Sequence, residues 1–260
     1  MHTIRNYIMA ESLEQAWELN QKGRNNVIIG GNLWLKMGNR NILNAIDLST
    51  LGLDRIEEDE SGFRIGCMAT LRDIEMHEGL NKEFQNLFKE AVRHIVGVQF
   101  RNCATVGGSI FPKLGFSDVL TAFLACDTQV ILYKKGEVSL REFIYMPLDN
   151  DILTHIYVKK DGRKTAYESF RMTETDFPTL TCAMAMVDGR FETVLGARPK
   201  HAEVVIEELA DSLSKEDVAS YAKRVIDKLQ YGSNIRGSKQ YRKQLSKVLI
   251  SRCISRLTEE

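Results

Sequence analysis

The sequence predicts an α+β fold, and three observations carry that prediction. The chain opens on a β-α-β-type unit that lacks G-x-G-x-x-G, so it is not a dinucleotide fold of the Rossmann kind. The middle of the chain alternates at period two in short runs separated by turn residues, the signature of hairpins. The last third reads as strands followed by helices, the order expected of an α+β domain.

Residues 12–22 read as a helix. Ser12 is placed to cap it, Glu14 and Gln15 fall in its first turn, and Leu13, Ala16, Trp17 and Leu19 share a face. Val27-Ile28-Ile29 is a short apolar strand, and residues 41–48 a second strand region. Residues 55–57 and 62–66 form a hairpin across the acidic turn Glu58-Asp59-Glu60-Ser61. Thr70 caps a helix with Asp73 at its third position. Phe84 to Val96 is expected to be one helix, its stripe made by Phe84, Leu87, Phe88, Ala91, Val92 and Ile95. His94 beside that stripe is read as a structural residue. Asp118 opens another helix, with Ser117 or Asp118 as cap.

Residues 129–133 and 137–140 flank Lys134-Lys135-Gly136 as a second hairpin, and 152–159 alternates as a strand. Residues 165–170, 179–187 and 191–195 are three strands, the last two joined by Asp188-Gly189. Glu203–Ala210, Lys215–Leu229 and Tyr241–Leu257 read as helices, the last with Leu245, Val248, Leu249, Cys253 and Leu257 on its inner face.

Composition narrows the function. The 260 residues are 43% apolar and 27% charged, as in a globular protein, with 35 basic and 35 acidic side chains. That balance argues against nucleic acid, which calls for a basic surplus. No apolar run approaches a membrane span of ~20 residues, and Met1 to Ala10 has no signal-peptide core. The five cysteines form no C-x-x-C pair, so no metal site or iron–sulfur cluster is expected in this chain. Reduced thiols point to a cytoplasmic protein, with Cys103 a small buried filler. Asp73, Glu75 and the acids at 57–60 are read as solvated surface.

Two stretches stand out. Val27-Ile28-Ile29-Gly30-Gly31-Asn32-Leu33-Trp34 and Ala104-Thr105-Val106-Gly107-Gly108-Ser109-Ile110 both run from β-branched residues into Gly-Gly and then a small polar residue. Turns built on such pairs take unusual backbone angles and expose amides to an anion. Two of them suggest one extended, phosphate-bearing ligand held between them. No Ser-His-Asp or paired-carboxylate constellation is present, so no catalytic residue is expected.

These loops, the run Arg101-Asn102-Cys103-Ala104-Thr105 and the following Asp118 resemble the FAD-binding subunit of molybdenum hydroxylases, a family that includes xanthine dehydrogenase and carbon monoxide dehydrogenase. Ile235-Arg236-Gly237-Ser238-Lys239-Gln240-Tyr241-Arg242 is similar to its "RGS-x-x-YR" signature, and Leu195-Gly196-Ala197-Arg198-Pro199 to its "G-x-x-x-x-P" element. The likeness covers nearly the whole chain. It implies the vanillyl-alcohol-oxidase-type FAD-binding fold, with an FAD-binding domain at 1–161 (subdomains about 1–52 and 53–161) and a C-terminal α+β domain at 162–260. Residues 27–34 would wrap the pyrophosphate through main-chain amides. Thr105, Gly107, Gly108 and Ser109 would line the second loop. Asp118 would accept from ribose hydroxyls or neighbouring amides, Leu153 would pack near the flavin or adenine, and Ile95 stands where some relatives place an aromatic residue.

Three departures are visible. Ser109 replaces the usual Asn, the proline usual before Asp118 is missing, and Ser169 stands where many relatives have a lysine. The insertion that holds an extra four-iron cluster in one branch of the family is not seen.

The resemblance implies an FAD subunit of a xanthine dehydrogenase-like heteromer. Electrons would come from iron–sulfur centres in one partner and a molybdopterin subunit in another, and pass to NAD or another acceptor, in oxidation of a purine or other N-heterocycle. A flavin-free assembly subunit and a stand-alone flavin oxidase are the alternatives.

Overall fold

The computed structural model describes residues 3–208 and 214–258. In chain order the elements are β1 (Thr3–Met9), α1 (Leu13–Gln21), β2 (Asn26–Ile29), β3 (Asn41–Asp47), β4 (Ile56–Glu58) and β5 (Gly62–Gly66). There follow α2 (Leu71–Met76), α3 (Glu78–Glu83), α4 (Leu87–Val92), α5 (Val98–Arg101), α6 (Val106–Ile110) and α7 (Asp118–Leu124). Then come β6 (Thr128–Leu132), β7 (Gly136–Ser139), α8 (Leu140–Phe143), β8 (Leu153–Lys159), β9 (Lys164–Arg171) and β10 (Pro178–Val187). The chain closes with β11 (Arg190–Gly196), β12 (Glu203–Glu207), α9 (Lys215–Asp227) and α10 (Lys239–Thr258).

The chain divides into two compact units. The first comprises 1–73, 98–112 and 128–158, and the second 74–97, 113–127 and 159–260. The first unit holds two sheets. In the three-stranded sheet the order is β1-β3-β2 and both pairings are parallel, with Tyr7 and Val27 flanking Ala45. Ile29, Ile42 and Ala45 form its buried centre. The five-stranded sheet runs β4-β5-β8-β6-β7. Phe63 and Ile65 of β5, Val130 of β6 and Ile156 of β8 are fully buried, as period-two strands with one inward face require.

The second unit is built on the four-stranded sheet β12-β11-β10-β9, antiparallel throughout. Asp188 (φ 49°) and Gly189 (φ 71°) make the left-handed two-residue turn between β10 and β11. Leu180, Cys182 and Met184 of β10 pack with Tyr221 and Val225 of α9 and with Leu249 and Cys253 of α10.

Caps expected from the sequence are in place. Ser12 Oγ accepts from Gln15 N at 3.1 Å. Thr70 Oγ1 accepts from Asp73 N at 3.1 Å, while Asp73 Oδ2 accepts from Thr70 N at 2.8 Å, a reciprocal capping box. Ser117 caps α7, and Ser214, expected to cap the helix that starts at Lys215, caps α9.

Several expectations are corrected. The helix expected over 84–96 is shorter: within that range only Leu87–Val92 (α4) is helical, and Gln85 (φ 44°) and Asn86 (φ 63°), both left-handed, separate it from α3, which ends at Glu83. The break has partners that favour it. Phe84 O accepts from Thr165 Oγ1 and Gln85 Oε1 from Thr165 N, both at 2.6 Å, and buried Asn81 accepts from Lys89 N at 3.0 Å. The expected helix 203–210 is strand β12 over its first five residues, and 209–210 lie outside the described residues. Val204, Val205 and Ile206 are β-branched, and β11 offers an unpaired edge. Val248 of α10 is 46% exposed, not on the inner face. Glu75 is buried, not solvated. Thr3–Met9, not read as a strand, pairs with β3.

Candidate functional site

Both Gly-Gly stretches lie in the first unit and meet there. β2 presents Val27, Ile28 and Ile29, and the chain leaves the sheet through Gly30, Gly31, Asn32, Leu33 and Trp34. A Cβ on Gly31 would lie 1.7 Å from the carbonyl oxygen of Cys103, and one on Gly30 would lie 2.4 Å from Thr105 Oγ1. None of Gly30, Gly31, Gly107 and Gly108 has a positive φ. The expected unusual backbone angles are therefore absent from the glycines. What Gly30 and Gly31 permit is contact between two segments. The left-handed residue is Asn32, at φ 56°.

That reversal leaves donors without partners. Among the described residues no backbone or side-chain acceptor takes the amide hydrogens of Gly31, Asn32 and Leu33. Asn32 Oδ1 is buried and also without a partner. Successive free amides around a left-handed residue form a concavity that suits an anion. An unpaired buried polar atom such as Asn32 Oδ1 costs about 1–3 kcal/mol.

The second stretch differs from its expected form. Val106–Ile110 is a helical turn (α6), not a strand-to-loop bend, because Thr105 caps it. Its glycine amides are engaged within the chain. Gly107 N donates to Cys67 O at 2.9 Å and Gly108 N to Thr105 Oγ1 at 3.2 Å, while Ser109 N and Oγ both donate to Thr105 O. A Cβ on Gly107 would meet Cys67 Cβ at 2.7 Å. Gly107 is thus a packing residue, whereas Gly108 is exposed. Cys103, expected to be buried, is exposed, because its main chain rather than its thiol is what meets Gly31. Leu153 is buried in β8 opposite Leu132.

Asp118 and Ile95 belong to the second unit. Ile95 is half-buried just past α4. Asp118 is buried, and its Oδ1 accepts from Tyr167 OH at 2.5 Å and from Arg171 Nη2 at 2.7 Å. Burial pushes the Asp118 carboxyl above the usual carboxylate range, against the opposing pull of Arg171. Burial likewise pushes the Tyr167 phenol up. Arg171 Nε is buried without a partner. Neither Tyr167 nor Arg171 was anticipated from the sequence.

The two C-terminal signatures are structural. Arg242 and Arg198 are fully buried. Arg242 donates to Thr179 O at 2.9 Å, to Gly232 O at 3.1 Å and to Asn234 Oδ1 at 2.6 Å. Arg198 donates to Leu195 O at 3.0 Å and His201 O at 3.2 Å. Arg236 pairs with Asp176 at 2.8 Å and lies over the ring of Phe177. An open cleft in the second unit is lined by Gly115, Phe116, Phe177, Pro199, Asn234 and Arg236 among others, and no expected site residue lines it. Among the described residues no three His, Cys, Asp or Glu side chains could hold a metal ion, and no helix is long and apolar enough to cross a membrane.

Comparison with known proteins bears on this arrangement. Residues 2–158 match the family described as "FAD binding domain in molybdopterin dehydrogenase". A glyceraldehyde dehydrogenase medium chain of Sulfolobus acidocaldarius is 27% identical over 271 residues, covering 94% of each chain. A 6-hydroxypseudooxynicotine dehydrogenase complex subunit alpha of Paenarthrobacter nicotinovorans is 24% identical, covering 96% of this chain and 93% of that one. Among solved structures, carbon monoxide dehydrogenase of Hydrogenophaga pseudoflava superposes with a TM-score of 0.86 at 23% identity, covering 97% of this chain and 96% of that one. That likeness concerns the fold.

Proposed function

The chain belongs to the molybdopterin dehydrogenase FAD-binding family, and from that premise we propose that it is the electron-transfer subunit of a heteromeric molybdenum hydroxylase. The observation that carries the reading is the free amides of Gly31, Asn32 and Leu33 beside the unpartnered Asn32 Oδ1. A flavin dinucleotide fits that donor set. Its diphosphate offers acceptors for the amides, and its hydroxyls offer donors for the Asn32 oxygen.

When bound, FAD supplies the exchange between one-electron and two-electron carriers. This chain's own residues bind and orient it. Gly30 and Gly31 let the first loop close on Cys103 and Thr105. Exposed Gly108 and half-buried Ser109 offer the second wall and Leu153 an apolar floor. In this reading 1–161 is the binding domain and 162–260 the C-terminal domain. The names of the two relatives, a medium chain and a complex subunit, support a heteromer. Its other chains would be a molybdenum-cofactor subunit and an iron–sulfur subunit. A cytoplasmic enzyme that oxidises a purine or other N-heterocycle, with NAD or another acceptor at this subunit, completes the proposal.

The test is direct. The purified chain is reconstituted with FAD and its absorption recorded. The complex from its own cells is then weighed by native mass spectrometry. One FAD per chain, with molybdenum and iron–sulfur chains in the same particle, is expected. A chain that takes up no FAD yet holds those partners would be an assembly subunit. A flavin-loaded chain that turns over substrate with no partner would be a stand-alone oxidase.

A further inference from the structure

We propose that Trp34 and Phe100 form the aromatic wall against which the planar ring next to the dinucleotide's diphosphate rests. The proposal rests on the FAD reading above and adds a side-chain role for Trp34, named there only within the main-chain stretch 27–34, and for Phe100. Trp34 follows the three free amides directly, two Cα steps of about 3.8 Å each beyond Asn32. Phe100 lies in α5, three residues before Cys103, whose carbonyl touches Gly31. The two rings are 6.1 Å apart and inclined at 70°, an edge-to-face pair.

The contact holds the indole in one orientation, yet Trp34 remains 38% exposed. A pinned, half-open indole loses little entropy on receiving a ring. The chemistry required of the ligand is a planar heteroaromatic base one sugar or ribityl arm away from phosphate. Adenine and isoalloxazine both meet it.

The full chain, freed of flavin, is titrated with FAD, FMN and ADP, following indole emission and, by calorimetry, affinity. Trp17→Phe removes the other indole, which lies under Lys134, and reports Trp34 alone without touching the wall. FAD is expected to quench that emission. Quenching by ADP assigns the adenine and quenching by FMN the flavin ring. Trp34→Leu is expected to weaken FAD by about tenfold or more, the usual scale for loss of one base–aromatic stack, whereas Trp34→Phe keeps affinity within about threefold on the same scale. FAD binding that leaves Trp34 emission unchanged, or equal affinity in Trp34→Leu and Trp34→Phe, overturns the wall and leaves FAD binding standing. Absence of FAD binding in the unmodified chain overturns both.

Discussion

Gly31 faces Cys103 so closely that a methyl group on it would sit 1.7 Å from the Cys103 carbonyl oxygen. This contact joins the two glycine stretches of the first unit. Nothing at the glycine's own φ demands it, so the requirement is purely steric. Gly31→Ala must push the loop at 30–34 away from the segment at 103–105. The expected loss of stability is about 1–3 kcal/mol, the scale of a forced main-chain shift, together with loss of FAD uptake. Gly23→Ala is the control, since nothing lies within 4 Å of its added carbon. Thermal unfolding and flavin absorbance measure the two effects. Equal flavin content in both variants would mean the loop's position does not matter to the ligand.

Gly107 and Gly108 are adjacent but not equivalent. A carbon on Gly107 meets the main chain and Cβ of Cys67, while one on Gly108 meets only Thr105 Oγ1, at 2.9 Å. Gly107→Ala is therefore expected to destabilise the chain by about 1–3 kcal/mol. Gly108→Ala should keep the fold and lower FAD affinity instead, since Gly108 is on the exposed side. Denaturant midpoints and calorimetric titration of both variants separate the two roles. The prediction fails if Gly108→Ala is the less stable of the pair.

Asp118 is held by Tyr167 and Arg171 in a buried cluster. Removing one partner of such a pair leaves an uncompensated charge, at a cost of about 3–5 kcal/mol. Asp118→Ala should lower stability by that amount with or without FAD present. Tyr167→Phe should cost only about 1 kcal/mol, because Arg171 still satisfies the same oxygen. A double-mutant cycle between positions 118 and 171, read by chemical unfolding, should show strong coupling. Additive effects would place the carboxylate's role elsewhere.

Thiol chemistry offers an independent view of the first unit. Cys103 is exposed, whereas Cys67, Cys126, Cys182 and Cys253 are buried. Burial pushes the Cys67 thiol up to about 12, far from the thiolate form at neutral pH. One thiol per folded chain should react quickly with a disulfide reagent, and all five after unfolding. Because Cys103 adjoins the free amides of the first loop, bound FAD should slow that single reaction. Unaltered reactivity under saturating FAD would separate this segment from the ligand.

Much of this was legible in the residues. Period-two alternation located β5, β6 and β8, and Asp188-Gly189 located a hairpin, because one buried face and one left-handed turn leave local marks. The misread elements have tertiary causes. β12 is a strand because Val204–Ile206 find the edge of β11, a partner no local window contains. The helix expected from Phe84 begins only at Leu87 because Thr165, some eighty residues away in sequence, bonds at Phe84 and Gln85. The site shows the same division. Gly-Gly was visible as an unusual pair, but whether a glycine serves a turn or a contact depends on what lies opposite, as Cys103 does for Gly31. Tyr167 and Arg171 carried no motif at all. They matter because the sheet of the second unit brings β9 to α7.

Glu207 sets how the second unit responds to acid. Its carboxylate in β12 bonds to Lys228 and accepts from Arg224 Nε at 3.1 Å, linking the edge strand to the α9 region. These partners, Lys228 foremost, hold the carboxyl below its usual value, against a smaller opposing effect of burial. The folded value lies below the unfolded one. The stabilisation is therefore present above the unfolded carboxylate value of about 4.3 and is lost as pH falls through the folded value. Both cations are substantially exposed, so the contribution is about 1 kcal/mol or less. Glu207→Gln should lower the melting temperature slightly at pH 7, and the gap to the unmodified chain should close as the pH is lowered below 4. A gap that persists unchanged in acid would show that the side chain acts through packing and not through its charge.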